Sequence, residues 1–420
     1  MTVADAVAAF APSGLPVRLT AYDGSSAGPM ESDYTLHVAS QEGLAYLVSA
    51  PGELGIARAY VTGGLVIEGV HPGDPHAALV HIQNGLRLVL PPPARLPEIL
   101  RSIGLARLRP PAPPPQERPP RWRRNLDGLT HSLRRDAGAI EHHYDVSNDF
   151  YRRVLGPSMT YTCAVFADES STLEEAQAYK YDLVARKLGL RSGMRLLDVG
   201  CGWGGMVRHA AREYGVRVIG VTLSRQQATW AQEAIKDQRL DHLAEVRHLD
   251  YRHVAETDFD AVSSIGLTEH IGVKNYASYF THLMTKVRPE GRLLNHCITR
   301  PHNRFEATGP FIDRYVFPDG ELIGSGRIIT EMQDVGWEVM HEENLRLHYA
   351  RTLAGWNANL VEHWDDCVAE VGENTARVWG LYMAGSRLSF ERNEIQLHQV
   401  LGVRTGPDGH DGFAWRPDWE

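Results

Sequence analysis

A glycine-rich turn that follows an apolar run is the first place in the sequence where residue types and spacing suggest chemistry. The run Met194–Val199 has the composition of a short buried strand, and it leads into Gly200-Cys201-Gly202-Trp203-Gly204-Gly205. An amphipathic helical pattern follows the turn. The turn satisfies the pattern G-x-G-x-x-G, in which glycines let the backbone approach a bound cofactor closely. The segment therefore predicts a nucleotide-type cofactor at the end of a strand.

The residues around this turn distinguish between cofactors, because the glycine pattern alone is also typical of dinucleotide sites. Asp198 lies two residues before the first glycine, where its carboxylate would face a pyrophosphate unfavourably. The next predicted strand ends in Thr222-Leu223-Ser224 and lacks the acid that binds a ribose in NAD sites. S-adenosylmethionine fits better, since it has no phosphate and an acid complements its sulfonium side. A glycine-rich turn without any ligand is the alternative.

Glu269 and His270 are the second candidate for a functional pair. They follow the predicted strand Asp260–Ile265, and the carboxyl ends of strands carry the active sites of α/β proteins. His296 also follows an apparent buried strand. Taken alone, that histidine is more typical of a core residue than of a ligand.

The elements that must position these residues alternate between strand and helix. Strands are predicted at Met194–Val199, Arg217–Thr222, Asp260–Ile265 and Gly291–Asn295, and a helix at Arg225–Lys236. This alternation predicts an α/β fold with a Rossmann-like, doubly wound and mostly parallel sheet that binds its ligand at the carboxyl edge.

The first 100 residues have a different pattern, with short β-like runs between turn residues. These runs are Pro16–Thr20, Tyr34–Val38 and Leu65–Glu68, and a helix is predicted at 94–105. The chain of 420 residues is longer than one compact core usually holds. We expect a smaller N-terminal α+β accessory domain at 1–105, a linker at 106–135, an S-adenosylmethionine-dependent domain at 136–405 and a C-terminal tail at 406–420.

The net charge of −9 conceals a basic stripe between two acidic parts of the chain. Residues 1–100 contain four arginines and nine acidic residues, whereas residues 101–135 contain nine arginines and only Glu117 and Asp127 as acids. The stripe overlaps the Pro-rich run from Pro110 to Pro120, which favours an extended linker. It is either a solvated spacer or a tether attracted to anionic lipid head groups. Nucleic acid is not an expected partner, because no nucleic-acid motif accompanies the arginines.

The sequence also indicates a cytoplasmic protein. No apolar run approaches the roughly 18 residues of a membrane-spanning helix, and Met1 to Leu15 lacks the features of a secretory signal. The four cysteines show no paired spacing, which favours reduced thiols over disulfides or a metal site.

Several longer runs resemble the cyclopropane-fatty-acid synthase family of methyltransferases. They occur in the family's order and spacing across about residues 140–400, roughly two-thirds of the chain. The runs are His143–Tyr151, Gly156–Ala164, Leu197–Gly204, Thr222–Ser224, Thr268–Gly272 and Arg314–Gly320.

This resemblance implies methyl transfer to the cis double bond of an unsaturated acyl chain, esterified in a membrane phospholipid. An isolated alkene is a poor nucleophile, so it must be held against the sulfonium methyl in a dry pocket. Transfer leaves a carbocation, which aromatic faces can stabilise and water must not reach. A base must then remove one proton, and in the family that base is a bound bicarbonate.

The resemblance also assigns site residues by position. The expected bicarbonate contacts are the main chain of Cys163, the side chains of Glu269 and His296, the backbone of Ile298, and Tyr349. Taken alone, Cys163 is more typical of an inert buried thiol than of a nucleophile. The expected cofactor contacts are Tyr161, Thr162, Asp198, Gly200, Gly202, Thr222, Leu223 and Gln227. Four aromatic residues are expected either to line an acyl tunnel or to pack in the core, namely Tyr144, Phe150, Tyr315 and Trp356.

One departure from the family pattern bears on the product. Thr268 occupies the position before the glutamate where the usual synthase has an aromatic residue. This region most resembles the actinobacterial branch that makes 10-methylene-stearoyl lipids on the way to 10-methyl-branched tuberculostearate. In that pathway a separate flavin-dependent reductase saturates the methylene.

The expectation is therefore a peripheral enzyme at the inner face of the membrane, and a homodimer is compatible with it. A cyclopropane synthase that closes a ring from the same cation is the nearest alternative. A methyltransferase of a small soluble metabolite and a non-catalytic lipid-binding protein are the more distant ones.

Overall fold

The computed structural model describes residues 2–87, 89, 92, 110–119 and 146–419, and these form two compact units. Unit 1 comprises Met1–Pro120, Gly309–Pro318 and Trp356–Leu388, and unit 2 comprises Arg121–Thr308, Asp319–Gly355 and Ser389–Glu420. The helix expected at 94–105 and the domain boundaries expected at 105 and 135 lie outside the described residues, so they stay predictions. Within the described ranges no helix is long and apolar enough to span a membrane.

Unit 1 contains a four-stranded sheet in the order β2-β1-β3-β4. Its strands are β1 (Arg18–Ala21), β2 (Ser26–Ala27), β3 (Thr35–Val38) and β4 (Leu65–Glu68), and its helices are α1 (Val3–Ala8), α2 (Gln41–Ser49), α3 (Glu53–Val61) and α4 (His76–Gly85). Leu19, Val38 and Leu44 are among the buried side chains that close its core. The three predicted strands are confirmed to within two residues at each end, as is the α+β class.

Unit 2 contains a seven-stranded sheet in the order β10-β11-β9-β8-β5-β6-β7. Its strands are β5 (Arg195–Val199), β6 (Arg217–Thr222), β7 (Ala244–His248), β8 (Phe259–Ile265), β9 (Val287–Thr299), β10 (Glu338–Asn344) and β11 (Gln396–Val403). Strands β5 to β9 pair in parallel, and β11 is antiparallel to both β9 and β10. The predicted doubly wound, mostly parallel α/β sheet is confirmed.

One long helix of unit 2 shows clearly how sequence signals set its ends. Thr172 and Glu175 form a capping box at the start of α6, and Gly189 ends that helix in the left-handed conformation. The helices are α5 (Asn148–Leu155), α6 (Leu173–Leu188), α7 (Gly205–Tyr214), α8 (Arg225–Asp237), α9 (Thr268–Ile271), α10 (Tyr276–Lys286) and α11 (Ser325–Asp334). Toward the C-terminus the described residues also form α12 (Arg346–Glu362), α13 (Trp364–Val371) and α14 (Glu373–Glu391).

A buried carboxylate holds the Pro-rich segment 110–119 within unit 1. Glu117, whose side chain is 1% exposed, accepts hydrogen bonds from both Arg58 on α3 and Arg314 on a π-helical turn, at 2.5–2.7 Å. The Tyr315 hydroxyl donates to the same carboxylate at 3.2 Å. Burial alone would raise the pKa of Glu117, but the two guanidinium groups outweigh burial and hold it below its usual 4.5. We call this group of four residues the Glu117 clamp.

Breaking the clamp should weaken unit 1. Glu117→Ala leaves the buried Arg58 without its counter-ion, so the opening free energy of α3 should fall by about 3 kcal/mol. Native-state hydrogen exchange of α3 peptides at pH 7 measures this loss. Because the pKa of Glu117 is depressed, the difference from the wild type should shrink as the pH falls below about 4.5. Glu31→Ala is the control, since Glu31 is exposed, and equal α3 protection in both variants at pH 7 would contradict the expectation.

Candidate active site

The carboxyl ends of β5, β6, β8 and β9 meet at one edge of the unit 2 sheet. Strand order reverses between β5 and β8, which are adjacent although β6 and β7 lie between them in the chain. Such a switch point opens a crevice at the carboxyl ends of the strands. The predicted glycine turn follows β5, and Glu269 follows β8 on α9. The glycine turn and Glu269, which the sequence predicts to be functional, therefore lie at the same edge of the sheet.

The glycine turn leaves room above its backbone. Gly202 has a φ of 55°, and a Cβ placed on it would meet nothing within 4 Å. At Gly205 a Cβ would instead overlap the hydroxyl of Tyr181, so that glycine is needed for close packing of α7 against α6. The turn is tied to β6, because the amides of Gly200 and Cys201 donate to the Val221 carbonyl at 2.9 and 3.0 Å. The arrangement fits a cofactor that approaches the backbone at Gly202.

Asp198 on β5 is buried, and it interacts electrostatically with the buried Lys180. Its carboxylate is 2% exposed and accepts a 2.6 Å hydrogen bond from Ser263 on β8. Burial raises the pKa of Asp198 to about 7, against the opposing effects of Ser263 and Lys180. Burial likewise lowers the pKa of Lys180 to about 7. Lys180 Nζ lies 3.6 Å from the Tyr181 ring centroid and has no hydrogen-bond partner among the described residues.

The predicted contacts on β6 and α8 are adjacent. The Thr222 hydroxyl donates to Gln227 Oε1 at 2.8 Å, and the Gln227 amide N–H donates to the hydroxyl of Ser224, the N-cap of α8, at 3.3 Å. The Leu223 carbonyl lies 3.0 Å from the ring nitrogen of His248. Thr222, Leu223 and Gln227 therefore lie together at the carboxyl end of β6, next to the strand that carries the glycine turn.

Glu269 is a buried carboxyl that is only half satisfied. It is 8% exposed, and its Oε1 accepts the backbone N–H of Ile298 at 2.7 Å. Its Oε2 is buried and has no hydrogen-bond partner within the described part of the chain. Burial raises the pKa of Glu269 to about 7, although the Ile298 amide opposes the rise. The structure thus joins two sequence-predicted residues, Glu269 and Ile298.

His296 lies two residues before Ile298 on β9, so the two side chains point to the same face of that strand. It is fully buried, and its ring nitrogens contact the Thr162 hydroxyl and the Gln399 amide nitrogen, each at 3.2 Å. Burial and the charges of Lys180 and Lys187 lower its pKa well below 6.5, so the imidazole is neutral. Gln177 on α6 donates to the Thr162 carbonyl at 2.9 Å and fixes that residue.

Cys163 and Tyr349 are linked through one carbonyl. The Leu345 carbonyl accepts the Tyr349 backbone N–H at 3.2 Å and lies 3.9 Å from Cys163 Sγ. Burial raises the pKa of the Cys163 thiol, which therefore stays protonated. All four cysteines are free. The contacts place Cys163 beside the start of α12 and support an unreactive thiol at this position.

Aromatic rings gather near the glycine turn. The Tyr151 ring lies 4.8 Å from Trp203 and 6.0 Å from Tyr161, and Trp203 Nε1 donates to Asn148 at 2.9 Å. The predicted tunnel residue Phe150 is fully buried beside Tyr151. Tyr144 lies outside the described residues, whereas Tyr315 and Trp356 belong to unit 1. A role in an acyl tunnel stays a prediction for these four residues.

Sequence reasoning missed four buried polar residues of unit 2 that surround the predicted site. Gln177 and Lys180 lie three residues apart on the buried face of α6, a spacing that could have been noticed. The other two are Lys187 and Gln399. No group of three potential metal-ligating side chains is found among the residues that the structure describes.

Replacing Glu269 by Gln should stabilise the protein in a pH-dependent way. The raised pKa means that wild-type stability is lost as the pH rises from about 4.5, the usual value, through about 7. An uncharged glutamine at this position would lose nothing over that range, so at pH 8 the variant should be more stable by about 2–3 kcal/mol. The two proteins should unfold alike near pH 4.5.

Urea unfolding of both proteins at pH 4.5, 6 and 8 measures the difference. Glu256→Gln is the control, because Glu256 is partly exposed and contacts Arg247. A wild-type advantage at pH 8 would show that Glu269 is not destabilised by burial.

Comparison with known proteins agrees with this arrangement. The family described as mycolic acid cyclopropane synthetase matches residues 131–400. A probable fatty acid methyltransferase of Mycobacterium tuberculosis is 61% identical over 406 residues, which cover 96% of this chain and 95% of that protein. The cyclopropane-fatty-acyl-phospholipid synthase of Escherichia coli K12 is 35% identical over 267 residues, covering 63% of this chain and 68% of the relative.

A solved structure shows the same fold. The crystal structure of the mycolic acid cyclopropane synthase CmaA1 in complex with SAH and CTAB superposes with a TM-score of 0.60 at 32% identity. The match covers 64% of this chain and 98% of that one. The family match falls on the part of the chain that carries the glycine turn, Glu269 and His296. The chain therefore belongs to the mycolic acid cyclopropane synthetase family and is an S-adenosylmethionine-dependent methyltransferase.

Proposed function

We propose that the protein transfers a methyl group from S-adenosylmethionine to the cis double bond of an unsaturated acyl chain in a membrane phospholipid, with oleoyl as the expected chain. The observation that carries this proposal is the half-satisfied, buried Glu269 carboxyl, which binds the backbone of the strand that also carries the neutral His296. The names of the two relatives, a fatty acid methyltransferase and a fatty-acyl-phospholipid synthase, support the lipid class.

The residues at the carboxyl edge fit the cofactor. The open space at Gly202 admits its close approach, and the buried Asp198 offers an acidic partner on the same strand end. The solved relative in complex with SAH supports a cofactor of this kind. S-adenosylmethionine supplies an electrophilic methyl group on a sulfonium. The residues that would hold it are Tyr161, Thr162, Asp198, Gly200, Gly202, Thr222, Leu223 and Gln227.

The residues of this chain exclude water from the site and hold its polar groups in place. Glu269, His296 and Cys163 are buried, so water has little access to a cation that forms beside them. Exclusion of water matters because the alkene is a weak nucleophile and the resulting carbocation reacts with water. The Ile298 amide fixes one oxygen of Glu269, and Thr162 and Gln399 fix the ring of His296. The reacting groups therefore meet a preorganised set of polar atoms.

Proton removal is the second requirement, and we propose bicarbonate as the bound base. The chain offers a carboxyl with a pKa of about 7 at Glu269, a neutral imidazole at His296 and the hydroxyl of Thr162. A protonated Glu269 can donate a hydrogen bond, so this set fits a small oxyanion without placing two negative charges together. The positions expected to hold the base are Cys163, Glu269, His296, Ile298 and Tyr349.

The product proposed is the 10-methylene acyl chain, which a separate flavin-dependent reductase would convert to 10-methylstearate. Thr268 replaces the aromatic residue of the usual synthase pattern, and its hydroxyl bonds the side chain of Asn295 at 2.5 Å. Asn295 in turn donates to Cys297 at 3.3 Å. Thr268, directly before Glu269 in the sequence, therefore belongs to a small, buried polar pair. This difference favours the methylene product over the cyclopropane ring.

The reaction predicts a defined mass change. Incubation with S-adenosylmethionine and dioleoyl phospholipid vesicles should make the acyl chain about 14 Da heavier, from one added carbon and two hydrogens. Mass spectrometry of the fatty acid methyl esters measures it. Distearoyl vesicles, which have no double bond, should give no product. Glu269→Gln should bind the cofactor with unchanged affinity in calorimetry but lose most turnover, whereas Glu256→Gln should retain it.

The same sample tests the product. Because methylene and ring products share one mass, NMR must show the vinylic protons of an exocyclic methylene. Recovery of the cyclopropane alone would contradict the methylene proposal, and an unmodified chain in every sample would contradict methyl transfer to lipid.

The arginine stripe is the proposed contact with the inner face of the membrane. Each basic residue near an anionic surface contributes about 1 kcal/mol. A variant in which four arginines of the stripe are replaced by Gln should co-sediment less with phosphatidylglycerol vesicles, and the loss should be largest at low salt. The four are Arg118, Arg121, Arg123 and Arg124, of which the last three lie outside the described residues. The matched control exchanges four exposed arginines of unit 2, Arg191, Arg212, Arg217 and Arg225. An equal loss of vesicle binding in both variants would indicate that the stripe is only a spacer.

A further inference from the structure

A chain of hydrogen bonds runs through the core of unit 2 and ends at His296. Lys187 Nζ donates to Gln399 Oε1 at 2.7 Å, and Gln399 Nε2 lies 3.2 Å from His296 Nδ1. His296 Nε2 lies 3.2 Å from the Thr162 hydroxyl. The side chains of Lys187, Gln399 and His296 are fully buried. Water therefore does not compete for these contacts.

The fold itself pairs Gln399 with His296. The two residues are direct partners in the register of the antiparallel strands β11 and β9. Lys187 reaches Gln399 from the last turn of α6. Its other contact is the carboxylate of Glu343 on β10, which stabilises the ammonium against its burial. Residues of two elements, α6 and β9, thus bind the side-chain amide that β11 carries.

The chemistry of each group sets the direction of the chain. An ammonium only donates, so the Gln399 atom that faces Lys187 must be the carbonyl oxygen. The Gln399 atom that faces His296 is then the NH₂ group, which also only donates. His296 Nδ1 must therefore accept and carry no proton. An imidazolium would place two donors face to face, which is consistent with the strongly lowered pKa of His296.

We infer that Lys187 and Gln399 are positioning residues that fix His296 as the tautomer with its proton on Nε2. The Nε2–H group then donates toward Thr162, whose hydroxyl accepts it and keeps its own proton for a further acceptor. With the proton on Nε2, His296 and Thr162 can offer hydrogen-bond donors to a bound oxyanion. With the proton on Nδ1, His296 would instead present the lone pair of Nε2 on this side and repel the oxyanion. The use of this donor depends on the proposed function, whereas the tautomer itself does not.

The tautomer can be observed directly. Long-range ¹H–¹⁵N correlation spectra of protein labelled with ¹⁵N-histidine distinguish Nε2–H, Nδ1–H and the imidazolium, and His296→Gln identifies the signal. The wild type should show Nε2–H. Gln399→Glu keeps the shape of the side chain but places an acceptor opposite Nδ1, so the signal should change to Nδ1–H. Gln333→Glu adds the same charge at an exposed position on α11 and should leave the signal unchanged.

Activity provides the second readout. With the tautomer reversed, kcat for the methyl transfer should fall by about tenfold or more while the affinity for S-adenosylmethionine in calorimetry is retained. A wild-type His296 that is Nδ1–H or doubly protonated overturns the inference, and this result does not depend on any variant folding. An Nε2–H signal that persists in folded Gln399→Glu overturns it as well. If the spectra change as expected but the wild type modifies no lipid, the proposed function fails and the tautomer assignment holds.

Discussion

Burial of ionisable groups at one edge of the sheet is the constraint on which the site depends. Asp198, Lys180, Glu269 and His296 are all buried, and an unpaired charge in such a place costs several kcal/mol. The protein limits that cost by moving the pKa values of Asp198, Lys180 and Glu269 to about 7 and by keeping His296 neutral. The result is a polar edge of low net charge, from which water is largely excluded.

Such an edge suits the proposed reaction, which would create a cation in a hydrocarbon chain. A strongly charged, hydrated pocket would quench such a cation, whereas an entirely apolar pocket could not hold the proposed base. The sheet meets both requirements. Its parallel strands bring Asp198 and Glu269 to one edge, and the antiparallel β11 brings Gln399 against β9 from the other side. The polar atoms are therefore fixed by backbone pairing rather than by solvent.

Local patterns in the sequence were sufficient for the elements that carry the cofactor turn. Strand β6 is as predicted, and β5 and β8 differ from prediction by one residue at one end, because each is a short apolar run next to a turn or cap signal.

Strands β7, β10 and β11 were missed. Their residues include many charged or polar side chains, as in Glu338–Asn344, and their pairing is decided by contacts with distant strands. For the same reason Gln399 could not be predicted, since it meets His296 only through the register between β11 and β9. The roles of His296 and Tyr349 came from the family resemblance and not from any local pattern.

The Glu117 clamp changes the meaning of the charge distribution. Glu117 is one of only two acids in the basic stripe at 101–135, yet its charge is compensated by Arg58 and Arg314, which belong to other parts of the chain. Among the described residues, this acid is therefore neutralised by guanidinium groups from outside the stripe. Arg314 and Tyr315 in turn belong to a run that resembles the catalytic family, and here both bind Glu117 within unit 1. Arg314 and Tyr315 thus have a structural function within unit 1, and a count of charges along the sequence does not show which of those charges are paired in the fold.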